Sequence, residues 1–440
     1  MWPATAPADL QNVARFNQYS HALNNFNGQL LVAGFDLCYI MENMDQNSIQ
    51  QIKQRALSGE PAIISGRSSK WDKINFDNLV FVSAQLARRP VDYFCEKISS
   101  QTIVGKRSKH PLKLDTPILI GAMSFGALSD KAKVALARGA SLAGTCANTG
   151  EGGMLPEERT AAKFLITQYS TGRFGVDEKY LQSADAIEIK IGQGAKPGQG
   201  GLLKASKVTE KIAQIRGVKL GEDVHSPAYH TDIRTPADLK KKVNWLRKIT
   251  GGKSIIIKLA AGDVEADVKI AVSANPDVIA IDGSAGGTGA APEVMIENMG
   301  IPAIAALVRA RRALDKLKAP QELWIGGGLN SGADAAKALA LGADAVFMAT
   351  PMMVAMGCIY CRQCYQGNCP LGVATQKSEL TVKLDVESGG QRIANFIKAA
   401  TEETKMIAGA CGHNDIHKLS VRNLRSLDLT ISQITDVKMV

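Results

Sequence analysis

From Thr116 to Met348 the chain repeats one arrangement eight times: a short β-rich run ending near Gly, Ser or Asn, usually followed by an Ala-rich stretch with helical spacing. The runs lie at 117–121, 144–148, 164–169, 186–191, 255–259, 278–282, 323–326 and 345–348. The helical patterns are clearest at 130–140, 236–249, 264–273, 304–317 and 333–341. Parallel strands need a crossover between neighbours, and right-handed crossovers put every helix outside a sheet that closes on itself. Eight alternations within residues 112–376 therefore predict an α/β fold, a (β/α)8 TIM barrel, rather than an open doubly wound sheet. A Gly-rich insertion at 192–235, after the fourth strand, is too polar for a core element and reads as a lid or binding loop. Residues 1–111 read as an N-terminal extension of irregular or short elements, with an Asn/Gln-rich stretch near Asn24 and an apolar patch from Leu30 to Phe35. Residues 377–440 read as a C-terminal helical tail packed outside the barrel.

Composition bounds what such a barrel could do. With 440 residues, 45% apolar and 21% charged, the chain has ample core, which excludes small disulfide scaffolds and disordered chains. No apolar run approaches the roughly 20 residues that span a bilayer, and the first residues lack a basic stretch followed by an apolar one. A cytoplasmic address without membrane attachment is expected. The net charge of +10 fits several anionic partners. Nucleic-acid readers interleave basic residues with stacking rings, but aromatics make up 5% here and the basic residues are dispersed, so no nucleic-acid partner is expected.

The reactive face of a TIM barrel is built by the loops that follow its strands. Met123 and Ser124 follow the first run, Asn148 and Glu151 the second, Gln168 the third, Lys190 the fourth, Lys258 the fifth and Asp282 the sixth. A single strand-end lysine is as readily a solvated side chain as a ligand. Lys190, Lys196 and Lys258 converging on one mouth with Glu151 point instead to an anionic ligand. Gly326 to Gly328 follow the seventh run and Ala349-Thr350 the eighth, where barrels commonly seat phosphate on backbone amides; a plain tight turn is the alternative. A Rossmann reading fails, because these glycines are contiguous and late in the chain. Cys358, Cys361, Cys364 and Cys369, followed by Pro370, make a compact thiol run of the kind that wraps an iron–sulfur cluster. Structural zinc, which normally draws ligand pairs from separated segments, is the alternative.

Six collinear strings make residues 118–376 resemble the FMN-binding synthase domain of the glutamate synthases. They are Gly-Ala-Met-Ser-Phe-Gly-Ala-Leu-Ser (121–129), Asn-Thr-Gly-Glu-Gly-Gly (148–153), Gly-Arg-Phe-Gly-Val (172–176), Glu-Ile-Lys-Ile-Gly-Gln-Gly-Ala-Lys-Pro-Gly-Gln-Gly-Gly (188–201), Gly-Gly-Thr-Gly-Ala (286–290) and Asn-Cys-Pro-Leu-Gly-Val-Ala-Thr-Gln (368–376). The resemblance implies FMN at the barrel mouth beside 2-oxoglutarate, with a [3Fe–4S] cluster next to the flavin. It places the cluster on Cys358, Cys364 and Cys369, and Cys361 adds a fourth thiol that would permit a four-iron form. It implies flavin contacts from Ala122, Met123, Ser124, Asn148, Gln168, Lys258 and Asp282, and phosphate contacts from Gly327, Gly328 and Thr350. Glu151, Lys190, Gln193 and Lys196 would surround the keto acid, with Lys258, Glu151 and Lys196 as the catalytic group. The chemistry agrees: two carboxylates on 2-oxoglutarate call for lysines, and a cation near the flavin stabilises its reduced anion.

The departures shape the functional expectation. Ala285 stands where an acidic residue is usual after the sixth strand, and Ala349 where Gly is common. Residue 2 is Trp rather than a Cys nucleophile, no Gly-periodic β-helix follows Gln376, and no ferredoxin-like Cys repeat precedes the barrel. Amidotransferase-like and β-helical partner subunits are therefore expected, in a hetero-oligomer. The expected enzyme forms and reduces 2-iminoglutarate from 2-oxoglutarate and an amine. The favoured subtype is N-methylglutamate synthase, which turns methylamine and L-glutamate into N-methyl-L-glutamate and ammonia without external reductant. Ala285 would leave room for the methylated amine. The alternative is a split glutamate synthase using glutamine-derived ammonia and external electrons. Two rivals differ in class: a 2-hydroxy-acid oxidase, which would need a strand-end His base where His225 and His230 read as loop or flavin-edge residues, and a non-catalytic zinc-knuckle binding protein.

Overall fold

The computed structural model describes residues 46–440; Trp2, the Asn24 stretch and the Leu30 patch lie outside the described residues. Helix Gln46–Ser58 belongs to a first unit that ends at Glu60, and Pro61–Val440 forms a second.

The second unit is built on eight parallel strands: β1 (Ile118–Ile120), β2 (Cys146–Asn148), β3 (Phe164–Tyr169), β4 (Ala186–Lys190), β5 (Ser254–Ala260), β6 (Val278–Asp282), β7 (Glu322–Gly326) and β8 (Ala345–Met348). The hydrogen-bonded order runs β1-β8-β7-β6-β5-β4-β3-β2, and β1 and β2 lie side by side, so the barrel is nearly closed. All eight expected runs became strands. Between them run α1 (Asp130–Leu142), α2 (Pro156–Ala161), α3 (Glu178–Ser183), α4 (Pro236–Ile249), α5 (Val264–Ser273), α6 (Ala303–Lys316) and α7 (Gly332–Ala340). Their starts are chemically marked: Ser129, Asp177, Thr235 and Ser331 each accept a backbone N–H at a helix N-terminus.

The eighth outer position is filled by α8 (Val386–Ala410), which packs against both α1 and α7. Small residues allow the close approach: a Cβ on Gly139 of α1 would stand 2.6 Å from Ile393 Cγ2. The helix expected in a tail is thus part of the barrel wall.

Strand side chains alternate between two cores. Leu165, Ile187, Ile255, Ile257, Ile279 and Ile325 face the helices, while Ile166, Ala186, Ile256, Ala280 and Trp324 fill the barrel interior. Hairpin Thr102–Val104 with Leu112–Leu114 joins the interior core, so the extension contributes to the barrel itself.

The insertion at 192–235 corrects the sequence reading. Strands Leu202–Leu203 and Val224–His225 pair antiparallel, helix Glu210–Arg216 lies between them in the chain, and Leu203, Val208, Ile212 and Val224 form a small core with Phe125 and Leu155. Four apolar residues scattered through a Gly-rich, polar run are invisible to an average, yet they suffice for a satellite cluster under a loop. Among the described residues, no helix is long and apolar enough to cross a membrane.

Candidate active site

The parity that buries Ile166, Ala186, Ile256 and Ala280 inside the barrel continues to the strand ends as Gln168, Glu188 and Lys190, Lys258, and Asp282. The interior therefore changes from an apolar floor to a polar ceiling at the C-terminal ends of β2 to β6, the face where such barrels carry chemistry. One cavity opens there. Its wall includes Ala122, Met123, Ser124, Glu151, Gln168, Lys190, Gln193, Lys196, Lys258, Asp282, Gly327, Gly328 and Thr350, together with all four cysteines of the run. Asn148, expected at the cofactor, stands behind this wall with both amide ends engaged. Its Nδ2 donates to Glu188 Oε2 (3.2 Å) and its Oδ1 accepts Gly150 N–H (2.9 Å).

The charges are paired but not quenched. Lys190 Nζ donates to Glu151 Oε2 at 2.7 Å, and Lys258 Nζ lies 3.0 Å from Glu188 Oε1. Burial alone would lift the Glu151 carboxyl, but Lys190, Ser226 and Arg216 outweigh it and hold the group at about 2. Lys196 donates to Ala290 O (2.9 Å); burial and the nearby Lys190 charge lower its pKa to about 8, against the pull of Glu151. Burial raises Asp282 above the usual carboxylate range although Lys258 opposes it. Gln168 is 2% exposed, and its Oε1 is buried without a partner.

Gly327 and Gly328 hold φ of +99° and +94°, a region that L side chains rarely adopt. A Cβ on Gly327 would come within 2.5 Å of Gly283 O, and one on Gly328 within 2.8 Å of the Ala285 Cβ. The backbone here is bare by necessity, as a phosphate cradle requires. These glycines and the unpartnered Gln168 oxygen fit a flat heterocycle carrying a phosphate.

The cysteine run is tied down around the cavity. Tyr360 N–H points at Cys358 Sγ (3.4 Å), and Lys207 Nζ bridges Ala127 O (3.3 Å) and Cys364 O (3.2 Å). Seven free cysteines lie among the described residues. No three His, Cys, Asp or Glu side chains among the described residues are grouped to hold one metal ion. A zinc knuckle needs thiolates about 2.3 Å from one shared ion. A cluster spreads its thiolates over separate irons, so that grouping does not bear on it in the same way.

Sequence reasoning missed several residues. Strand Ile63–Gly66 of the extension pairs with Thr288–Pro292 beside the mouth, and Ser65 Oγ donates to Gly289 O while accepting Tyr365 N–H (2.8 Å each). Gly66 and Arg67 thereby reach the cavity wall. Only a β-prone Ala-Ile-Ile-Ser stretch hinted at this. Lys133 is fully buried and bonds the carbonyls of Met123, Asn148 (3.2 Å) and Thr149 (2.9 Å) while pairing with Glu158 at 2.9 Å, which pins the loops after β1 and β2 together. A lysine on the buried face of an Ala-rich helix was the available signal. His230 is also buried, with Nε2 2.8 Å from Lys190 O, and burial lowers it to about 4, so it is neutral at physiological pH and braces β4. His225 is exposed.

Fold and cavity together define a (β/α)8 enzyme whose strand-end site is shaped for an anionic ligand. Residues 70–414 match the conserved region in glutamate synthase. The chain is 39% identical to a glutamate synthase large subunit-like protein of Rhizobium meliloti, covering 90% of this chain and 94% of that one. It is 40% identical to the archaeal glutamate synthase (NADPH) of Methanocaldococcus jannaschii, covering 81% and 76%. A solved mandelate oxidase variant with a monooxide FMN adduct superposes with a TM-score of 0.52 at 17% identity, over 82% of this chain and 93% of that one, a likeness of fold alone. The chain belongs to the glutamate synthase family of enzymes.

Proposed function

We propose that this chain is the FMN and iron–sulfur subunit of a glutamate-synthase-type complex that forms and reduces 2-iminoglutarate from 2-oxoglutarate and an amine. One observation carries the reading: a single cavity is walled at once by the bare Gly327–Gly328 backbone, by Lys190, Lys196 and Lys258, and by the cysteine run. Gly327, Gly328 and Thr350 would hold the FMN phosphate, with Ala122, Met123, Ser124, Gln168, Lys258 and Asp282 against the ring and chain. Bound FMN supplies the hydride exchange. Cys358, Cys364 and Cys369 would hold a [3Fe–4S] cluster, and Cys361 would admit a four-iron form.

The chain's own groups divide the remaining work. Lys190 and Lys196 meet the two carboxylates of the keto acid, and Gln193 lies on the same wall. Glu151, ionised at all working pH values, orients Lys190 and donates no proton. Lys196 Nζ, near 8, can hold or release a proton within the physiological range, where amine condensation at the C2 carbonyl requires one. The insertion that carries Gln193 and Lys196 also carries the packed Leu203 cluster, and Leu203 itself reaches the cavity wall.

The favoured subtype is N-methylglutamate synthase, with methylamine and L-glutamate as substrates. It is supported by the sequence departure at Ala285, whose short side chain lies beside Gly328. The second reading is a split glutamate synthase using glutamine-derived ammonia and external electrons, which the naming of the relatives favours. Either assembly works in the cytoplasm as a hetero-oligomer with amidotransferase-like and β-helical subunits. Copurified partners assayed with methylamine and glutamate, without reductant, separate the two. N-methylglutamate and ammonia in equal amounts support the first; turnover only with 2-oxoglutarate, glutamine and a reductant supports the second. A colourless protein after anaerobic reconstitution would defeat both.

A further inference from the structure

Glu188 carries no role in the reading above, yet three side chains of the polar ceiling, Gln168, Lys258 and Asn148, converge on it. It is 4% exposed and stands behind the cavity wall. The strand ladders set its partners: Gln168 lies directly opposite it on β3, and Lys258 follows its β5 partner Ile256 by two residues. Gln168 Nε2 donates to Glu188 Oε1 at 2.5 Å, Lys258 Nζ lies 3.0 Å from the same oxygen, and Asn148 Nδ2 donates to Oε2 at 3.2 Å.

We propose that Glu188 is a positioning residue that presents the Gln168 oxygen and the Lys258 ammonium to a bound isoalloxazine ring; the proposal rests on the FMN reading above. A carboxylate only accepts hydrogen bonds. Gln168 must therefore turn its NH2 inward to Glu188 and its oxygen away. That oxygen is the buried, unpartnered Oε1 of a side chain on the cavity wall. A buried amide oxygen left unmet is destabilising, and a donor on the ligand would recover that loss. An oxidised isoalloxazine offers one ring N–H, at N3, and Gln168 in this orientation can only accept. Glu188 thus fixes which edge of the ring the wall recognises.

The same carboxylate governs charge. Held at 3.0 Å, it offsets part of the Lys258 field, with Asp282 as a further carboxyl nearby. How strongly Lys258 favours negative charge on a reduced ring is then set by Glu188, a residue that does not touch the ring.

The test uses the full-length chain reconstituted anaerobically with FMN, read by FMN titration and by the flavin midpoint potential. E188Q keeps the shape and removes the charge, so its potential is expected to move to more positive values, whereas E188D, which keeps the charge, stays nearer the parent. Q168M is expected to bind FMN about tenfold more weakly, the loss of one hydrogen bond in a buried site. An E188Q potential that is unchanged or more negative overturns the proposal. So does a Q168M protein that binds FMN as tightly as the parent, and this arm remains available if E188Q does not fold. A parent chain that binds no FMN instead defeats the reading on which the proposal rests, before any variant is compared.

Discussion

Lys190 and Glu151 form a buried ion pair, Nζ to Oε2 at 2.7 Å, between the end of β4 and the loop after β2. The other Glu151 oxygen accepts no hydrogen bond, and Lys190 is the foremost of the groups, with Ser226 and Arg216, that hold the carboxyl ionised. Breaking a buried pair by removing one member typically costs about 3–5 kcal/mol, because the survivor is left charged and unpaired. Lys190→Met is expected to lose on that order of stability at pH 8. The pH dependence should also reverse. In the parent, Glu151 is depressed to about 2, so its contribution is present above the ordinary carboxylate pKa and lost as pH falls toward 2. Without Lys190, burial, the largest single influence, outweighs the weaker pull of Ser226 and Arg216, the carboxyl rises, and stability declines as pH rises through the ordinary value. Urea midpoints at pH 5 and pH 8 read the sign, and Glu151→Gln added to Lys190→Met should recover much of the loss.

Lys196 gives a pH prediction for binding. With its pKa lowered to about 8, the ammonium that would meet a substrate carboxylate is present below that pH and lost above it. Apparent kcat/KM for 2-oxoglutarate should therefore fall on the alkaline side of about pH 8, since this ratio reports the free enzyme. Lys196→Met should be slow at all pH values and lack that limb. A parent profile flat from pH 7 to 9.5 contradicts the assignment.

The barrel was legible because its signal is repetitive: eight β-rich runs, each with its helical partner, leave little freedom in topology. The strand-end residues were legible for the same reason, since Lys258 and Gln168 continue an inward parity already marked by Ile256 and Ile166. What escaped depends on contacts distant in sequence. Ser65 matters only because Gly289 and Tyr365 meet it, and Lys133 only because the loops after β1 and β2 turn their carbonyls toward it. The hold of Glu188 on Asn148 was also hidden, because a strand end fixes where a side chain starts, not whether a buried carboxylate captures it. The Leu203 cluster was hidden by the glycines around it.

Gly328 allows a direct test of the phosphate cradle. At φ +94° an L side chain is strained, by about 1–3 kcal/mol, and its Cβ would press within 2.8 Å of Ala285. Gly328→Ala is expected to weaken FMN binding by about tenfold or more, with an unchanged far-ultraviolet circular dichroism spectrum. Adding Ala285→Gly removes the contact but not the strain, so recovery should be partial. Undiminished FMN binding by Gly328→Ala would place the phosphate elsewhere.

At the opposite end of the barrel, Glu322 opens β7, accepts Lys106 N–H (2.8 Å) through Oε1, and leaves Oε2 buried without a partner. Burial is the main cause that pushes its carboxyl up to about 7, with the Asp344 charge adding to it and Lys106 opposing. Between the ordinary glutamate value of 4.5 and about 7 the folded chain holds the proton more tightly than the unfolded chain, so stability falls as pH rises across that window. The whole penalty is present above pH 7 and none of it below 4.5. Glu322→Gln keeps an oxygen for Lys106 N–H and removes the charge, so the variant should be more stable than the parent at pH 8, on the order of 1–3 kcal/mol, and indistinguishable at pH 4.5. Because Glu322 lies at the far end of the interior from the cavity, FMN affinity should not change. Thermal or urea unfolding of both proteins across pH 4.5 to 8 reads the difference, and equal slopes for parent and variant would show that Glu322 titrates as an ordinary carboxylate.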